Sequence, residues 1–407
     1  MHGALSHVTV LDLSRVLAGP WAGQVLADLG AEVIKIERPG TGDDTRTWGP
    51  PFLRDRQGND SADAAYYLCA NRNKKSVTVD FTAAEGRNIV RDLARNSDVV
   101  LENFKVGGLA AYGLDYESLR AVNPRLIYCS ITGFGQTGPY APRAGYDLLV
   151  QAMGGLMSIT GRPDDEPGAG PQKAGVAVTD ILTGLYAAIG ILAALAHRER
   201  TGIGQHIDLG LLDVQVACLA NQAMNYLVSG SAPRRSGNAH PNLVPYQDFP
   251  TSDGYMVIAV GNDAQFVRLC GVLSLADLAA DPSFAGNKQR VLNRRELIDK
   301  LSAATVTHPT AHWVAALERA GVPAGPINTL DAVFDDPQVR ARDMRIELPH
   351  PVAGAVSLVA NPLRMSETPV TYRSAPPPLG AQTGEVLAER LGLSAAAIEA
   401  LRAKGIV

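Results

Sequence analysis

Over roughly its first 200 residues the chain alternates short apolar runs with amphipathic stretches, and this alternation narrows the folds open to it. Residues 8–13, 32–36, 76–81, 98–104 and 126–134 are brief, rich in β-branched or apolar side chains, and bounded by turn residues. Residues 83–97 and 116–122 carry helical spacing between them. Strands separated by helices cannot pair as tight hairpins, so they form a mostly parallel sheet with helices on its faces. Beyond residue 200 the pattern changes: 205–230 reads as a strand followed by a long helix, and 231–250 is polar and turn-rich. A strand over 254–261 and helical segments to about 320 follow. The class expected is α/β: a large domain with a parallel sheet over 1–200, a linker over 201–230, and a smaller α+β domain over 231–330. Residues 331–407 form a return linker, with seven prolines between 340 and 378 suggesting an extended crossing segment, and end in helices on the large domain.

A first strand, a helix and a second strand ending in Glu37 suggest a dinucleotide site. The glycines do not support it. That site needs G-x-G-x-x-G, whereas this chain has Gly19-Pro-Trp-Ala-Gly23, and Pro20 removes an N–H that an anion would use. Arg38, just past the second strand, is either a solvated surface residue or a bidentate holder of a phosphate on a ribose.

A net charge of -4 supplies no basic field, so nucleic acid is not an expected partner. Cys69, Cys129, Cys218 and Cys270 are scattered, which argues against zinc and against a disulfide framework and for a reducing cytoplasm. The opening residues carry no basic stretch and no cleavage site, so no signal peptide is expected. Residues 181–196 are apolar but shorter than the roughly 20 residues a bilayer span requires, and are expected to form a buried core helix rather than a membrane segment.

The chain lacks a G-x-S-x-G elbow, a phosphate-binding G-x-x-x-x-G-K-[ST] loop and H-E-x-x-H. His308 and His312 have helical ligand spacing, but Pro309 lies between them and no acidic ligand follows closely; no metal is expected. Two carboxylates stand out. Asp147 follows Gly145-Tyr146 and opens an apolar run, and Asp180 lies where a strand-like stretch meets a long helix. In the first turn of that helix Asp180 would be held ionised by the macrodipole. It is then either a helix cap or a nucleophile toward an activated acyl group.

These features combine into a specific pattern. Residues 11–20 with 28–39, 71–81, 98–104, 123–139, 143–147, Thr179-Asp180, 321–328 and 376–383 resemble, in order and across essentially the whole chain, the family III CoA-transferases. That group includes formyl-CoA and carnitine CoA-transferases and the α-methylacyl-CoA racemases. Residues 42–52, 71–76, 237–247 and 325–328 are most similar to its succinyl-CoA–glutarate (dicarboxylate) transferases. The resemblance implies a Rossmann-like large domain that binds CoA rather than NAD, a smaller domain joined to it by long linkers, and two chains interlocked as a homodimer. It assigns Asp180 as the nucleophile. It assigns CoA contacts to Val16, Leu17, Ala18, Arg38, Val79, Asp80, Phe81, Thr82, Asn103, Phe104 and Lys105, with Tyr146 at the thioester end. Thr82 and Ala111 stand where relatives often carry Lys and Arg, so Lys105 or Lys75 is the candidate substitute. The glycine-rich lid of formyl-CoA transferase is replaced by residues 237–247. No permanently bound cofactor is implied; coenzyme A enters as the acyl-CoA substrate.

A racemase of the same family needs a base on each face of the α-carbon and carries Gly-His-Asp, whereas this chain has Gly145-Tyr146-Asp147. Tyrosine, with a pKa of about 10, is a poor base at neutral pH. A catalytically silent CoA-binding protein is the other alternative. A dicarboxylate acceptor would need a cation for its second carboxylate, for which Arg46 and Arg143 are candidates, and neutral donors, for which His240, Asn242 and Gln247 are. Each is alternatively a surface or loop-stabilising residue.

Overall fold

The computed structural model describes residues 3–407, which separate into two compact units. The first comprises the described residues up to Leu156, then Ala174–Met224 and Gln338–Val407; the second comprises Met157–Lys173 and Asn225–Pro337. Strands of the first unit are β1 (Thr9–Asp12), β2 (Glu32–Glu37), β3 (Phe52–Arg54), β4 (Asp60–Ala64), β5 (Lys74–Thr78), β6 (Val99–Glu102), β7 (Ile127–Thr132) and β8 (His206–Gly210). Six of them make one sheet in the order β5-β2-β1-β6-β7-β8, every pair parallel, while β3 and β4 pair apart as an antiparallel hairpin. Counted within the sheet, the order is 3-2-1-4-5-6, a doubly wound arrangement whose winding reverses between β1 and β6. Ligands of such sheets bind beyond the strand C-termini at that reversal, so the loops after β1 and β6 are the place to look.

Both faces of the sheet are covered. Val10, Val33, Val99 and Ile127 pack beneath the helices Ala18–Asp28 and Val178–Thr201. Leu11, Ile34, Val77 and Tyr128 pack beneath Ala84–Arg95 and the two C-terminal helices, Thr383–Leu391 and Ala395–Ala403. Coverage on both sides is why these strands read as continuous apolar runs instead of alternating. The Val178–Thr201 helix is long and apolar enough by length and composition to cross a membrane. Here it buries Thr183, Gly184, Ala187 and Ile191, with Gly184 against Ala18 and Trp21 of the neighbouring helix, and exposes Leu185, Tyr186, Ile189 and Leu192. Gly202, in the left-handed region at φ 76°, stops it by donating to the Arg198 carbonyl.

The second unit contains β9 (Tyr246–Thr251), β10 (Gly254–Ala259) and β11 (Ala324–Pro326) in an antiparallel sheet of order β11-β10-β9. Phe249, Met256 and Ile258 from this sheet share a core with Phe266, Leu269, Leu301 and Trp313.

Three segments differ from the sequence reading. Residues 174–177 are not a strand; Ala174 donates its N–H to the Gln151 side chain rather than to a ladder. The long helix expected after residue 210 is two, Leu211–Ala217 and Ala220–Ser229, broken where Ala220 takes φ 44°. The proline-rich segment contains an antiparallel hairpin, β12 (Arg345–His350) and β13 (Gly354–Val359), whose Leu348, Val356 and Leu358 pack with Tyr67 and Leu68.

Candidate active site

The loop after β1 is held by charges beneath it. Asp12, at the end of β1, is fully buried, pairs with Lys74 at 3.0 Å, and accepts from the Ser14 backbone N–H. Lys35 of β2, equally buried, bonds Asp43 at 2.9 Å and donates to the Ser14 carbonyl at 2.7 Å. Burial opposes ionisation of Asp43, but the Lys35 ammonium and the Thr45 N–H and hydroxyl prevail and hold its carboxyl down at about 2. Asp43 in turn accepts from the Val16 N–H, and Asn103 clamps Arg15 by accepting from its N–H and donating to its carbonyl. Val16 sits between these clamps at φ 71°, a conformation a β-branched residue adopts only when its surroundings impose it.

Two adjoining clefts open at the strand C-termini. The first, about 410 Å³, is lined by Val16, Leu17, Ala18, Asn103, Phe104, Lys105, Arg143, Tyr146 and Asp180. The second, about 380 Å³, is lined by Arg38, Val79, Asp80, Phe81 and Thr82. Arg15 and Phe104 line both, with the Arg15 guanidinium 5.3 Å from the Phe104 ring centroid. Every CoA contact implied by the resemblance, and Asp180 with them, thus lies on one of two contiguous clefts. Arg15, which the sequence reading did not single out, stands at their junction.

Asp180 lies in the first turn of the Val178–Thr201 helix but does not cap it. Asp147 does so from another helix, Asp147–Met153: its Oδ1 accepts from the backbone N–H of Thr179 at 2.9 Å and of Asp180 at 3.3 Å. Its Oδ2 accepts from the Gln151 side-chain amide at 2.6 Å. The turn carrying Asp147 is set by a backbone contact, since a Cβ on Gly145 would lie 2.5 Å from the Gly133 Cα, so neither position accepts a side chain. Among the described residues, no donor hydrogen-bonds the Asp180 carboxylate. The expectation of a firmly ionised Asp180 is therefore corrected: burial, with Asp147 as the second cause, pushes its carboxyl up to about 7. Burial first, and then the charge of Asp180, raise the Tyr66 hydroxyl to about 12.

Arg46 is not a substrate cation. It is buried, bonds Glu37 through two nitrogens and Asp63 at 2.6 Å, and donates to the Tyr67 hydroxyl and the Pro377 carbonyl. Glu37, the acid at the position where a dinucleotide site would use one, is thereby consumed internally. Lys75 is also unavailable as a phosphate contact: it is the second residue of β5, at the end away from Val79, and pairs with Glu32 and Glu385. The Thr82 hydroxyl is turned to Asp80 at 2.6 Å. Lys105 and Arg143 are exposed and have no carboxylate at ion-pair distance among the described residues; Arg143 lies over the Tyr140 ring at 4.5 Å. His240, Asn242 and Gln247 belong to the second unit. There the His240 Nδ1 accepts from the N–H of Asn242 and Leu243, and the Asn242 carbonyl accepts from Asn287. Gln247 lies on β9, its amide directed to the Asp248 carbonyl.

Residues 5–383 match the family model described as CoA-transferase family III. The chain is 54% identical over 385 residues, 95% of each chain, to a succinate–glutarate CoA-transferase of Agrobacterium fabrum. It is 46% identical to the succinyl-CoA:glutarate CoA-transferase of Mus musculus, covering 99% of this chain and 90% of that one. The crystal structure of a CaiB/BaiF family protein from Brucella suis matches with a TM-score of 0.85 and 52% identity, over 96% of this chain and all of that one. The chain belongs to CoA-transferase family III and is an enzyme that moves CoA between an acyl-CoA and a carboxylate.

Proposed function

We propose that the enzyme transfers CoA from succinyl-CoA to a small dicarboxylate such as glutarate, with Asp180 as the covalent nucleophile. The observation that carries this reading is the Asp180 carboxylate, buried yet without a hydrogen-bond donor, on the cleft that joins the CoA-binding loops. A carboxylate so lightly solvated is a stronger nucleophile than one in water.

In this mechanism the ionised Asp180 oxygen attacks the thioester carbonyl, and the C–S bond breaks to release CoA thiolate and leave a mixed anhydride. The thiolate attacks the aspartyl carbonyl, expelling the donor carboxylate and leaving an aspartyl-CoA thioester. The acceptor carboxylate attacks that thioester, forming a second anhydride and freeing thiolate. The thiolate then attacks the acceptor's acyl carbon, giving the new acyl-CoA and restoring Asp180. Each step passes through an oxyanion, and no net proton or electron is exchanged. With Arg46 sequestered, Arg143 is the cation proposed to receive the acceptor's second carboxylate. CoA lies across both clefts, its nucleotide near Arg38 and its thiol near Asp180 and Tyr146. We further propose a cytoplasmic homodimer; the exposed apolar face of Leu185, Tyr186, Ile189 and Leu192 supports burial against a second copy.

Mass spectrometry of enzyme incubated with succinyl-CoA and then hydroxylamine tests the reading. A hydroxamate is expected on Asp180, and label on Asp147 alone would overturn the assignment. Rapid deuterium uptake at C2 of a 2-methylacyl-CoA would instead favour racemase chemistry.

A further inference from the structure

The carboxylate that caps the helix carrying Asp180 is not in that helix. Asp147 opens the Asp147–Met153 helix, and its two oxygens are divided between two tasks. Oδ1 takes the first two free N–H groups of the Val178–Thr201 helix, a role normally filled by a residue at the helix start. Oδ2 is held by Gln151, whose own carbonyl oxygen accepts from the Ala174 N–H at 2.9 Å and so fixes the segment leading into the helix. Thr179 adds a tie on the other side, donating its hydroxyl to Gln215 at 2.7 Å. The backbone leading into the Asp180 Cα is therefore anchored, while its carboxylate is left without a bond.

We propose that Asp147 is a positioning residue for the transfer reaction: it caps the helix in place of Asp180, so that Asp180 is held in register with its carboxylate free to attack. The inference rests on the reading of Asp180 as nucleophile. A helix start capped by its own Asp would tie up the oxygen that must form the bond. Moving the cap to a second helix separates structural and chemical duties.

The test compares Asp147→Ala and Asp147→Asn with the intact protein. In the Ala variant, kcat for CoA transfer should fall about 100-fold, with the dissociation constant for acyl-CoA within about threefold of the parent. The Asn variant keeps an oxygen for the Thr179 N–H and should recover to within about tenfold of the parent. Because it lacks the charge that helps hold Asp180 protonated, the acid limb of its kcat/KM profile should move to lower pH, a readout that loss of packing alone would not move. Amide hydrogen exchange at Thr179 and Asp180 should quicken in the Ala variant. Unchanged exchange, or wild-type kcat with an unmoved acid limb in the Asn variant, would overturn the proposal. If the Ala variant does not fold, the Asn variant and Gln151→Leu, which frees Oδ2, carry the same test. Absence of any transfer by the intact protein, together with quickened exchange in the variants, would defeat the nucleophile reading and leave the cap standing.

Discussion

Two groups of buried charge lie within one unit of this molecule, and they are built on opposite rules. Beneath the β1–β2 loops, Asp12 with Lys74, Lys35 with Asp43, and Arg46 with both Glu37 and Asp63 are paired at 2.6–3.0 Å. On the first cleft, Asp180 is buried at the cleft wall, less deeply than these, and its neighbour is another carboxylate with no cation to offset it. Buried ions that are paired and hydrogen-bonded keep their charge, and removing one partner strands the other. A buried carboxylate without a partner holds its proton more tightly and stores reactivity. The first arrangement shapes loops; the second performs chemistry.

The contrast is tested most severely by Asp180→Ala. Turnover should fall by about 10⁴-fold or more while thermal unfolding and CoA binding stay near the parent's, because no structural bond is removed. Retention of substantial transfer would break the comparison at its functional end. At the other end, Arg46→Ala removes the cation bonded to the buried Glu37 and Asp63 and should cost about 3–5 kcal/mol of stability, read by denaturant unfolding. A loss below about 1 kcal/mol would show that the network is ornamental.

Next in size is the acceptor. With succinyl-CoA as donor, monocarboxylates such as butyrate should be poorer than glutarate by about 100-fold in kcat/KM, and Arg143→Ala should erase most of that difference. Liquid chromatography of the CoA products reads both. Preference for formate, oxalate or carnitine over every C4 to C6 dicarboxylate would defeat the substrate proposal and leave CoA transfer intact.

The smallest effect expected is on stability against pH. The Asp180 carboxyl titrates near 7 in the fold against 3.8 in an unperturbed chain. Between those values the folded state binds the extra proton, so this group's contribution to stability is greatest below about 4 and is lost as pH rises through about 7. Asp180→Asn should therefore gain stability relative to the parent from pH 4 to 7 and hold that gain above, a rise of a few °C in Tm. Activity runs the opposite way, since attack needs the carboxylate: kcat/KM should climb from pH 6 to 8.

The sheet was legible because a strand buried on both faces must be apolar throughout, and residues 8–13 and 126–134 are nearly so. The site was legible as a family pattern, and almost every residue the pattern named falls on a cleft. Arg46 was misread because a lone Arg in a polar loop carries no mark of the Glu37 and Asp63 that enclose it. Lys35 and Lys74 escaped for the related reason that lysine is rarely fully buried, and only the fold brings Asp43 and Asp12 to them. The capping by Asp147 joins positions 32 and 33 residues apart, a relation that no local spacing expresses.

The edge strand β5 is completed from the far end of the chain. The Ser76 carbonyl accepts from the Gln382 N–H, the Thr78 N–H bonds the Thr383 hydroxyl, and the Asp80 N–H reaches the Ile406 carbonyl. Arg46 likewise needs the Pro377 carbonyl, 331 residues downstream. At about 5–20 residues per second of synthesis, the intervening chain takes on the order of 15–60 s to emerge. Throughout that interval β5 is an unprotected sheet margin, open to pairing with other nascent chains. Yield from the ribosome is thus coupled to residues 377–406, and slowing translation before or across them should raise aggregation before it touches the activity of the molecules that fold.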